Sequence, residues 1–440
     1  MKEYDKERFR VNMNRGNAGR KPELLIPAGS LEVFRTAVLF GADAVYIGGE
    51  AFGLRAKAKN FSSEEMQEAV AFAHSRGVKV YVTANILAHN ADLKEAEAYF
   101  RFLKELRPDA LLIADPGMFD IARRICPEID IHISTQANNV NAGTFLFWHR
   151  QGATRIVCGR ELSLAEIADI KKAIPEDLEI EAFVHGAMCI SYSGRCLLSN
   201  YLAGRDANHG ECTHPCRWKY SIVEETRPGE FMPVFENERG TYIFNSRDLC
   251  MIDYIPELVE AGIDSLKVEG RMKNALYVAT VARTYRLAID DWFEDPAKYE
   301  ARREWYRQQI ASCTYRQFTT GFFFGKPGSD AQIYDNNTYI RNYIYLGIAS
   351  EPAPESAPDD GQYWIGLEQR NKFCTGDMIE IMKPNGDNVP AAVLRILGPE
   401  GEEMESAPHP RQKLCILASA PADRGDILRM HDPGSAFGII

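Results

Sequence analysis

The sequence predicts an α/β protein: a (β/α)8 TIM-like barrel with a cysteine-rich insertion after strand 7, followed by a small C-terminal antiparallel β-barrel. Two observations predict the first domain. Eight short β-rich runs alternate with helical stretches between residues 23 and 268, and glycine or proline marks several of the joints. A third observation, a change to short alternating runs after about residue 339, predicts the second domain.

The predicted barrel strands are short and nearly continuously apolar, as expected of parallel strands that are buried on both faces. They are Glu23–Ile26, Ala44–Ile47, Val78–Val82, Ala110–Ile113, Asp130–Ile133, Arg155–Val157, Leu178–Val184 and Ser265–Val268. An open doubly wound sheet is the alternative arrangement. No Gly-x-Gly-x-x-Gly motif follows any of these strands, which disfavours a nucleotide-binding sheet.

The segment between the second and third strands has the pattern of an amphipathic helix. Ser62-Ser-Glu-Glu65 is a helix-capping signal. The residues that follow place one apolar face at helical spacing: Met66, Ala69, Val70 and Ala73. A glycine then precedes the third strand, as is typical of a helix end.

The interval between the seventh and eighth strands is much longer than the others and predicts a large insertion, residues 185–264. In such barrels the loops after the strands build the active site. The predicted domains are a flexible basic tail over 1–20, a catalytic barrel with this insertion over 21–335, and a β-barrel over 336–440.

Short alternating runs separated by turns predict the C-terminal β-barrel. A turn such as Lys383-Pro-Asn-Gly386 is typical of a β-hairpin. The runs are Tyr343–Ile348, Tyr363–Gln369, Asp377–Met382, Val389–Ile396 and Leu414–Ala418.

Composition restricts the class of protein. Of 440 residues, 45% are hydrophobic and 26% charged, which is ordinary for a globular enzyme. The formal net charge of −11 argues against coating nucleic acid or an anionic membrane with the whole surface, but it leaves room for a local basic groove. We find neither a membrane-spanning run nor an apolar signal core, and expect a cytoplasmic protein with no membrane partner.

Four of the ten cysteines fall in one segment with the spacing Cys189-x6-Cys196-x15-Cys212-x3-Cys216. In a reducing compartment such clustering favours metal ligands. Four thiolates suit a tetrahedral zinc or a four-iron cluster, and the spacing by itself leaves the metal open. Buried structural cysteines are the other alternative, and Cys250 is a possible fifth member of the group.

The motifs around the cysteines resemble the collagenase-like peptidase family U32, and within it the branch of prephenate-dependent tRNA uridine(34) hydroxylases. The resemblance covers roughly residues 21–430. The matching segments are Pro22–Leu25, Gly41–Tyr46, Gln136–Asn138, Glu181–Cys189, Ser191–Ser199, Arg205-Asp206, Cys212, Cys216–Trp218, Asn245–Leu249 and Lys267–Arg271.

This resemblance implies a 4Fe–4S cluster as cofactor, tRNA as partner and prephenate as co-substrate. The implied metal ligands are Cys189, Cys196, Cys212 and Cys216. The implied product is 5-hydroxyuridine at the wobble position of tRNA. Two alternatives stay open: a peptidase, as the historical family name says, and a non-catalytic scaffold subunit. No His-Glu-x-x-His or Gly-x-Ser-x-Gly motif favours the peptidase.

Polar residues near the predicted strand ends are candidates for substrate binding. Prephenate is a dicarboxylate, and arginine forks suit carboxylates best. Amide side chains can bind a uracil edge or a hydroxyl, and cations interleaved with aromatic residues can hold a single-stranded base and its phosphates. The predicted substrate-binding residues are Arg55, Gln136, Asn138, Arg160, Arg195 and Arg217.

The predicted catalytic residues lie at or just beyond the ends of the seventh and eighth strands. His185 directly precedes the cysteine segment. Strand alternation directs Lys267 and Glu269 to the same side, where they would form an acid–base or anchoring pair, or else a structural ion pair. Arg271 lies two residues further on and is included in the predicted catalytic group.

Overall fold

In a computed structural model, the structure describes residues 20–53, 60–188, 198–205, 207, 212–215, 221–222, 232–233, 245–325, 332–333, 340–351 and 360–432. The predicted basic tail lies outside these residues, apart from its last position.

The N-terminal part of the chain alternates strands with helices. The strands are β1 (Glu23–Pro27), β2 (Ala44–Ile47), β3 (Lys79–Ala84), β4 (Ala110–Ile113), β5 (Asp130–Ile133), β6 (Arg155–Val157), β7 (Glu179–Ala187), β8 (Ser221–Ile222), β9 (Met232–Pro233), β10 (Asn245–Ser246), β11 (Asp248–Cys250), β12 (Ser265–Val268), β13 (Phe318–Thr319) and β14 (Gln332–Ile333).

Eight of these strands close into a parallel barrel. Each strand from β1 to β7 pairs with the next, and β12 pairs with both β7 and β1. Residues of β2 and β4 are buried at every position, which explains why their sequences are apolar throughout. The predicted barrel is confirmed, and the long insertion does follow its seventh strand.

The helices occupy the intervals that the sequence predicts. They are α1 (Leu31–Leu39), α2 (Ser63–His74), α3 (Asn90–Leu106), α4 (Pro116–Ile125), α5 (Ala142–Gln151), α6 (Leu164–Ala173), α7 (Leu198–Ala203), α8 (Ile255–Glu260), α9 (Ala275–Glu294) and α10 (Pro296–Ile310). The capping box of α2 is formed by Ser62 and Glu65, and the predicted apolar face of α2 is buried. No helix in the described part of the chain is long and apolar enough to cross a membrane.

A buried ion pair fixes strand β11, near the end of the insertion, against the barrel. Strand β11 runs antiparallel to β7 and parallel to β13. The Asp248 carboxylate accepts hydrogen bonds from the backbone N–H, Nε and Nη2 of Arg316, at 3.1, 3.2 and 2.7 Å. Both side chains are buried. This pair therefore fixes β11 beside the end of β7.

The C-terminal strands form a second, antiparallel barrel. They are β15 (Tyr343–Ser350), β16 (Tyr363–Glu368), β17 (Phe373–Cys374), β18 (Met378–Met382), β19 (Asn388–Leu397), β20 (Glu403–Met404), β21 (Ser406–Ala407), β22 (Lys413–Ala418) and β23 (Ile427–His431). The order β18-β23-β15-β16-β22-β19 closes because β18 also pairs with β19. The predicted C-terminal antiparallel β domain is confirmed.

Contacts divide the chain into two compact units. The first contains β1–β14, and the second contains α9, α10 and β15–β23. Within the second unit, Arg283 on α9 donates hydrogen bonds to the carbonyls of Lys383 and Asp387, at 3.0 and 3.2 Å. The domain boundaries at residues 21 and 335 that the sequence predicts stay a prediction.

We expect Asp248→Asn to lower the free energy of unfolding by about 3–5 kcal/mol, because it leaves the buried Arg316 without its counter-charge. Chemical denaturation of both proteins measures the difference. Glu403→Gln is the matched control, since it breaks an exposed pair with Arg395 and should change stability by less than about 1 kcal/mol. Equal effects of the two substitutions would contradict this prediction.

Candidate active site at the mouth of the barrel

The interior of the barrel contains a buried ion-pair network. Arg155 on β6 contacts Glu23 at 2.5 Å, Glu179 at 2.6 Å and Glu181 at 3.3 Å. The Nζ of Lys267 on β12 donates to the other carboxylate oxygen of Glu181 at 2.7 Å. The Glu181 side chain is 0% exposed, and those of Arg155 and Lys267 are each 4% exposed. One buried carboxylate is thus shared by two buried cations.

This network changes the proton affinities of its members. Burial alone would raise the pKa of Glu23, but the Arg155 charge and a hydrogen bond from Tyr81 hold it below its ordinary 4.5. The carboxylates around Arg155 outweigh its burial and hold its pKa well above the ordinary value. His132 responds in the opposite direction, because burial and the charges of Arg155 and Lys267 lower its pKa well below 6.5. His132 is therefore neutral at pH 7.

The predicted Lys267–Glu269 pair is not the one that the structure contains. Strand β12 pairs with β7 so that Ser265 lies opposite Glu181, and the nearest carboxylate to Lys267 therefore comes from the neighbouring strand. Glu269 instead lies 3.9 Å from the Nη2 of Arg160. Lys267 does point inward, and the alternation that predicted this is correct.

The Phe183 ring on β7 lies near two cations, Lys267 in the barrel interior and Arg160 at the mouth. The Nζ of Lys267 lies 5.3 Å from the centre of the Phe183 ring and 4.5 Å from that of Tyr46. The guanidinium carbon of Arg160 lies 3.9 Å from the same Phe183 ring. Arg160 also donates from Nη1 to the carbonyl of Ala187 at 2.7 Å. These two contacts hold the Arg160 guanidinium beside the end of β7.

Arg271 is buried at the mouth among groups from the loops after β2 and from β3. Its Nη2 donates to Asn60 Oδ1 at 2.7 Å, and its Nη1 lies 3.4 Å from Thr83 Oγ1. A Cβ atom at Gly48 would overlap the Arg271 guanidinium. Glycine is therefore required at that position if the arginine is to keep this place.

His185 is buried at the end of β7, beside the start of the insertion. Its carbonyl accepts the backbone N–H of Glu269 at 2.8 Å, and its ring centre lies 5.9 Å from that of Phe318. Cys250 on β11 is the cross-strand partner of His185. The half-buried Cys250 therefore lies close to where β7 leads toward Cys189.

Gln136 and Asn138 belong to a tight turn after β5. Residues Thr135–Ala137 form one 3-10 turn, which Asn138 closes in the left-handed conformation with φ 55°. Asn138 Nδ2 donates to the carbonyl of Gln136 at 3.4 Å. Asn138 therefore shapes the turn, and Gln136 is the residue whose side-chain oxygen is left for other contacts.

Six predicted site residues lie outside the described residues, and their predicted roles stay predictions. They are Arg55, Arg195, Arg217, Cys189, Cys196 and Cys216. Cys212 is described and exposed, and its Sγ accepts the backbone N–H of His214 at 3.4 Å. The role of Cys212 as a metal ligand stays a prediction. Among the described residues, no group of three His, Cys, Asp or Glu is placed to hold a metal.

Sequence reasoning missed Glu181 and the partners of Arg271. The alternation Glu179-x-Glu181-x-Phe183 predicts that these three side chains share one face of β7, and this was the available signal for Glu181. The pairing of β7 with β12 shifts register between Phe183 and His185. No local signal marks Asn60 or Thr83 as partners of Arg271, because they follow or belong to other strands.

The lowered pKa of Glu23 predicts a pH dependence of stability. A carboxyl with a folded pKa below its unfolded value stabilises the fold above the unfolded pKa, and this is lost as pH falls through the folded pKa. Glu23→Gln should therefore lower the free energy of unfolding near pH 7, and its difference from the unmodified protein should shrink as the pH falls below 4.5. Urea denaturation of both proteins across this pH range measures the difference between their free energies of unfolding. Glu68→Gln, at an exposed position of α2, is the control and should differ little from the unmodified protein in free energy of unfolding at any pH. A difference for Glu23→Gln that stays constant with pH would contradict the prediction.

Comparison with known proteins supports one family over nearly the whole chain. Residues 29–333 match Peptidase family U32, and residues 341–429 match the Peptidase family U32 C-terminal domain. The chain is 40% identical over 393 residues to tRNA hydroxylation protein P1 of Bacillus subtilis (strain 168), covering 89% of this chain and 91% of that protein.

Two other relatives show the range of names within this similarity. tRNA hydroxylation protein P of Escherichia coli (strain K12) is 38% identical over 429 residues, covering 88% of this chain and 92% of that protein. The 23S rRNA 5-hydroxycytidine C2501 synthase of the same organism is 34% identical over 322 residues, covering 72% of this chain and 47% of that protein. On these matches, the chain belongs to peptidase family U32.

Proposed function

We propose that this protein hydroxylates RNA, converting the wobble uridine of tRNA to 5-hydroxyuridine with prephenate as co-substrate. The observation that carries the proposal is the barrel mouth, where Arg160 is held beside the strand that leads into the cysteine segment and Arg271 is buried beside Asn60 and Thr83. Relatives of nearly the same length are named for tRNA hydroxylation, and a third is named for a 5-hydroxycytidine in ribosomal RNA. These names support an RNA base as the acceptor.

In this proposal Arg160 and Arg271 bind the two carboxylates of prephenate. Both guanidinium groups are already oriented by protein contacts, Arg160 by Ala187 and Phe183, and Arg271 by Asn60. A pre-oriented planar fork loses little side-chain entropy when it binds a carboxylate. Arg55, Arg195 and Arg217 are the further proposed contacts to substrate. Gln136 takes a neutral polar group of the substrate from the turn that Asn138 closes.

The proposed acid–base groups surround the ends of β7 and β12. The Glu269 carboxylate lies 3.9 Å from the Nη2 of Arg160, a distance too long for a hydrogen bond. When Arg160 binds substrate, this carboxylate can contact the substrate instead and accept or release a proton there. His185 precedes the cysteine segment and is joined to Glu269 through the backbone. Lys267 lies beneath the site, where its bond to Glu181 holds it next to the Phe183 ring that also contacts Arg160.

We propose that Cys189, Cys196, Cys212 and Cys216 hold a 4Fe–4S cluster. When bound, the cluster would supply electron-transfer chemistry close to the mouth. Because β11 places Cys250 opposite His185, Cys250 is a further candidate thiolate. Four cysteine thiolates also suit zinc, so the metal has to be measured.

We expect about four irons and four acid-labile sulfides per chain in protein purified without air. Both should be lost in Cys189→Ala and kept in Cys158→Ala, because burial raises the pKa of the Cys158 thiol to about 12 and leaves it protonated. Metal analysis of Cys250→Ala decides whether that thiolate takes part. One zinc and no sulfide would contradict the cluster.

We expect Arg271→Lys to lower the 5-hydroxyuridine content of tRNA by at least about tenfold, because a lysine cannot bind Asn60 and a carboxylate with one planar fork. Mass spectrometry of tRNA nucleosides from cells that carry each variant as the only copy measures this content. Arg395→Lys, an exposed position of the C-terminal domain, is the control. If the wobble uridine of tRNA stays unmodified in cells that carry the unaltered protein, the proposed hydroxylation is contradicted. Cleavage of gelatin by the purified protein would favour the peptidase alternative.

A further inference from the structure

Three exposed cations of the C-terminal β-barrel differ from the others of that domain. Lys372, Arg411 and Lys413 form no ion pair within the described residues 341–351 and 360–432. Every other Lys or Arg of these residues is bound to a carboxylate: Arg341, Arg370, Lys383, Arg395, Arg424 and Arg429. A single exposed cation of this kind is ordinary, but these three lie together.

The three cations lie on two chain segments, residues 368–372 and 409–413, that are hydrogen-bonded to each other. The backbone N–H of Gln369 donates to the Gln412 carbonyl at 2.9 Å. The backbone N–H of Arg411 donates in return to the Gln369 carbonyl at 2.7 Å. We call this pair of segments the basic edge.

The basic edge is positively charged on a chain whose formal net charge is −11. Its residues include four Lys or Arg and one acidic residue, Glu368. The Glu368 carboxylate accepts a hydrogen bond from the Nη1 of Arg370 at 2.7 Å, so this pair is largely neutral. The three remaining cations repel one another, and an anionic partner is the group that relieves this repulsion.

Arg411 occupies a backbone position that favours glycine. The N–H of Gln412 donates to the His409 carbonyl at 3.3 Å, and Arg411 has a φ of 68°. With Pro410 before it, this is the pattern of a type II turn, whose third residue is usually Gly or Asn. A side chain in this left-handed conformation is unfavourable. The stability of the turn therefore does not account for an arginine.

Buried contacts order the backbone of the basic edge. The Gln369 side chain is 0% exposed, and its Nε2 donates to the carbonyls of Ala407 and Asn371. Asn371 Nδ2 in turn donates to the carbonyl of Tyr345 on β15 at 2.7 Å. The backbone that carries the three cations is thus ordered before a partner binds, which lowers the entropy lost on binding.

We propose that the basic edge binds the phosphate backbone of RNA. Phosphate oxygens accept hydrogen bonds from Lys and Arg, and each such contact releases counterions from the nucleic acid. An anionic membrane fits less well, because neither segment exposes a large hydrophobic side chain for insertion. The choice of RNA as the polyanion rests on the proposed function, to which the inference adds a contact in the C-terminal domain.

The salt dependence of tRNA binding tests this surface. Fluorescence anisotropy with a labelled tRNA transcript and the full chain, purified without air, gives the Kd at each salt concentration. The triple variant Lys372→Gln, Arg411→Gly, Lys413→Gln should bind at least about tenfold more weakly at about 0.1 M salt. Its plot of log affinity against log salt should be shallower by about 2 to 3. An unchanged slope would overturn the inference.

The triple variant Arg341→Gln, Arg395→Gln, Arg424→Gln is the matched control. It removes the same charge from the same domain, but each of these arginines is already bound to a carboxylate. It should change the tRNA affinity by less than about threefold and the slope by less than about 1. A loss equal to that of the first variant would show that tRNA responds only to net charge, and would overturn the inference.

Arg411→Gly by itself separates binding from folding. Glycine adopts a φ of 68° without strain, so the unfolding temperature should stay the same or rise. The tRNA affinity should fall by about threefold, with a slope shallower by about 1. A lower unfolding temperature with unchanged tRNA binding would assign this arginine to the fold and overturn its role in the basic edge.

Two other outcomes would overturn the inference. One is no binding of tRNA by the unaltered protein at about 0.05 M salt. The other is a first triple variant that keeps its tRNA affinity and loses binding to vesicles of phosphatidylcholine and phosphatidylserine in equal parts. Nucleoside analysis separates the surface from the function. Modified tRNA together with unchanged binding by the first triple variant rejects only the surface. Binding through the basic edge without 5-hydroxyuridine in cells rejects only the function.

Discussion

The buried Glu181 carboxylate, shared by Arg155 and Lys267, is the interaction on which the rest of the barrel depends. An isolated charge in this interior would be unfavourable by several kcal/mol, so all three groups must be present together. They come from three adjacent strands, β6, β7 and β12. The pairing of β7 with β12 and of β12 with β1 also closes the barrel. The interior charges and the closure of the barrel therefore require the same strand register.

The positions of the cationic side chains at the mouth depend on the ion pairs in the barrel interior. Lys267 is held by Glu181 next to the Phe183 ring, and the same ring supports Arg160. Arg271 takes its position because Gly48 leaves room for its guanidinium. Cationic side chains with long flexible stems are thus held in single positions before any ligand arrives, which is the condition for selective binding of carboxylates.

The insertion is joined to this site by strand pairing. Strand β7 extends past the barrel, and β11 returns along it with the Asp248–Arg316 ion pair buried behind it. As a result His185 and Cys250 lie opposite one another at the point where β7 leads toward the cysteine segment. The end of β7 and strand β11 are thus joined to the barrel by strand pairing.

The sequence by itself determined the order of strands and helices, because apolar runs and capping residues act over a few neighbouring positions. The capping box at Ser62 and the inward direction of Lys267 are examples. Only the tertiary structure decided the partners: Lys267 binds Glu181 and not Glu269, and Arg271 binds Asn60. These partners lie on other strands or loops, more than eighty residues away in sequence. Their proximity follows from strand order and register, which no local periodicity contains.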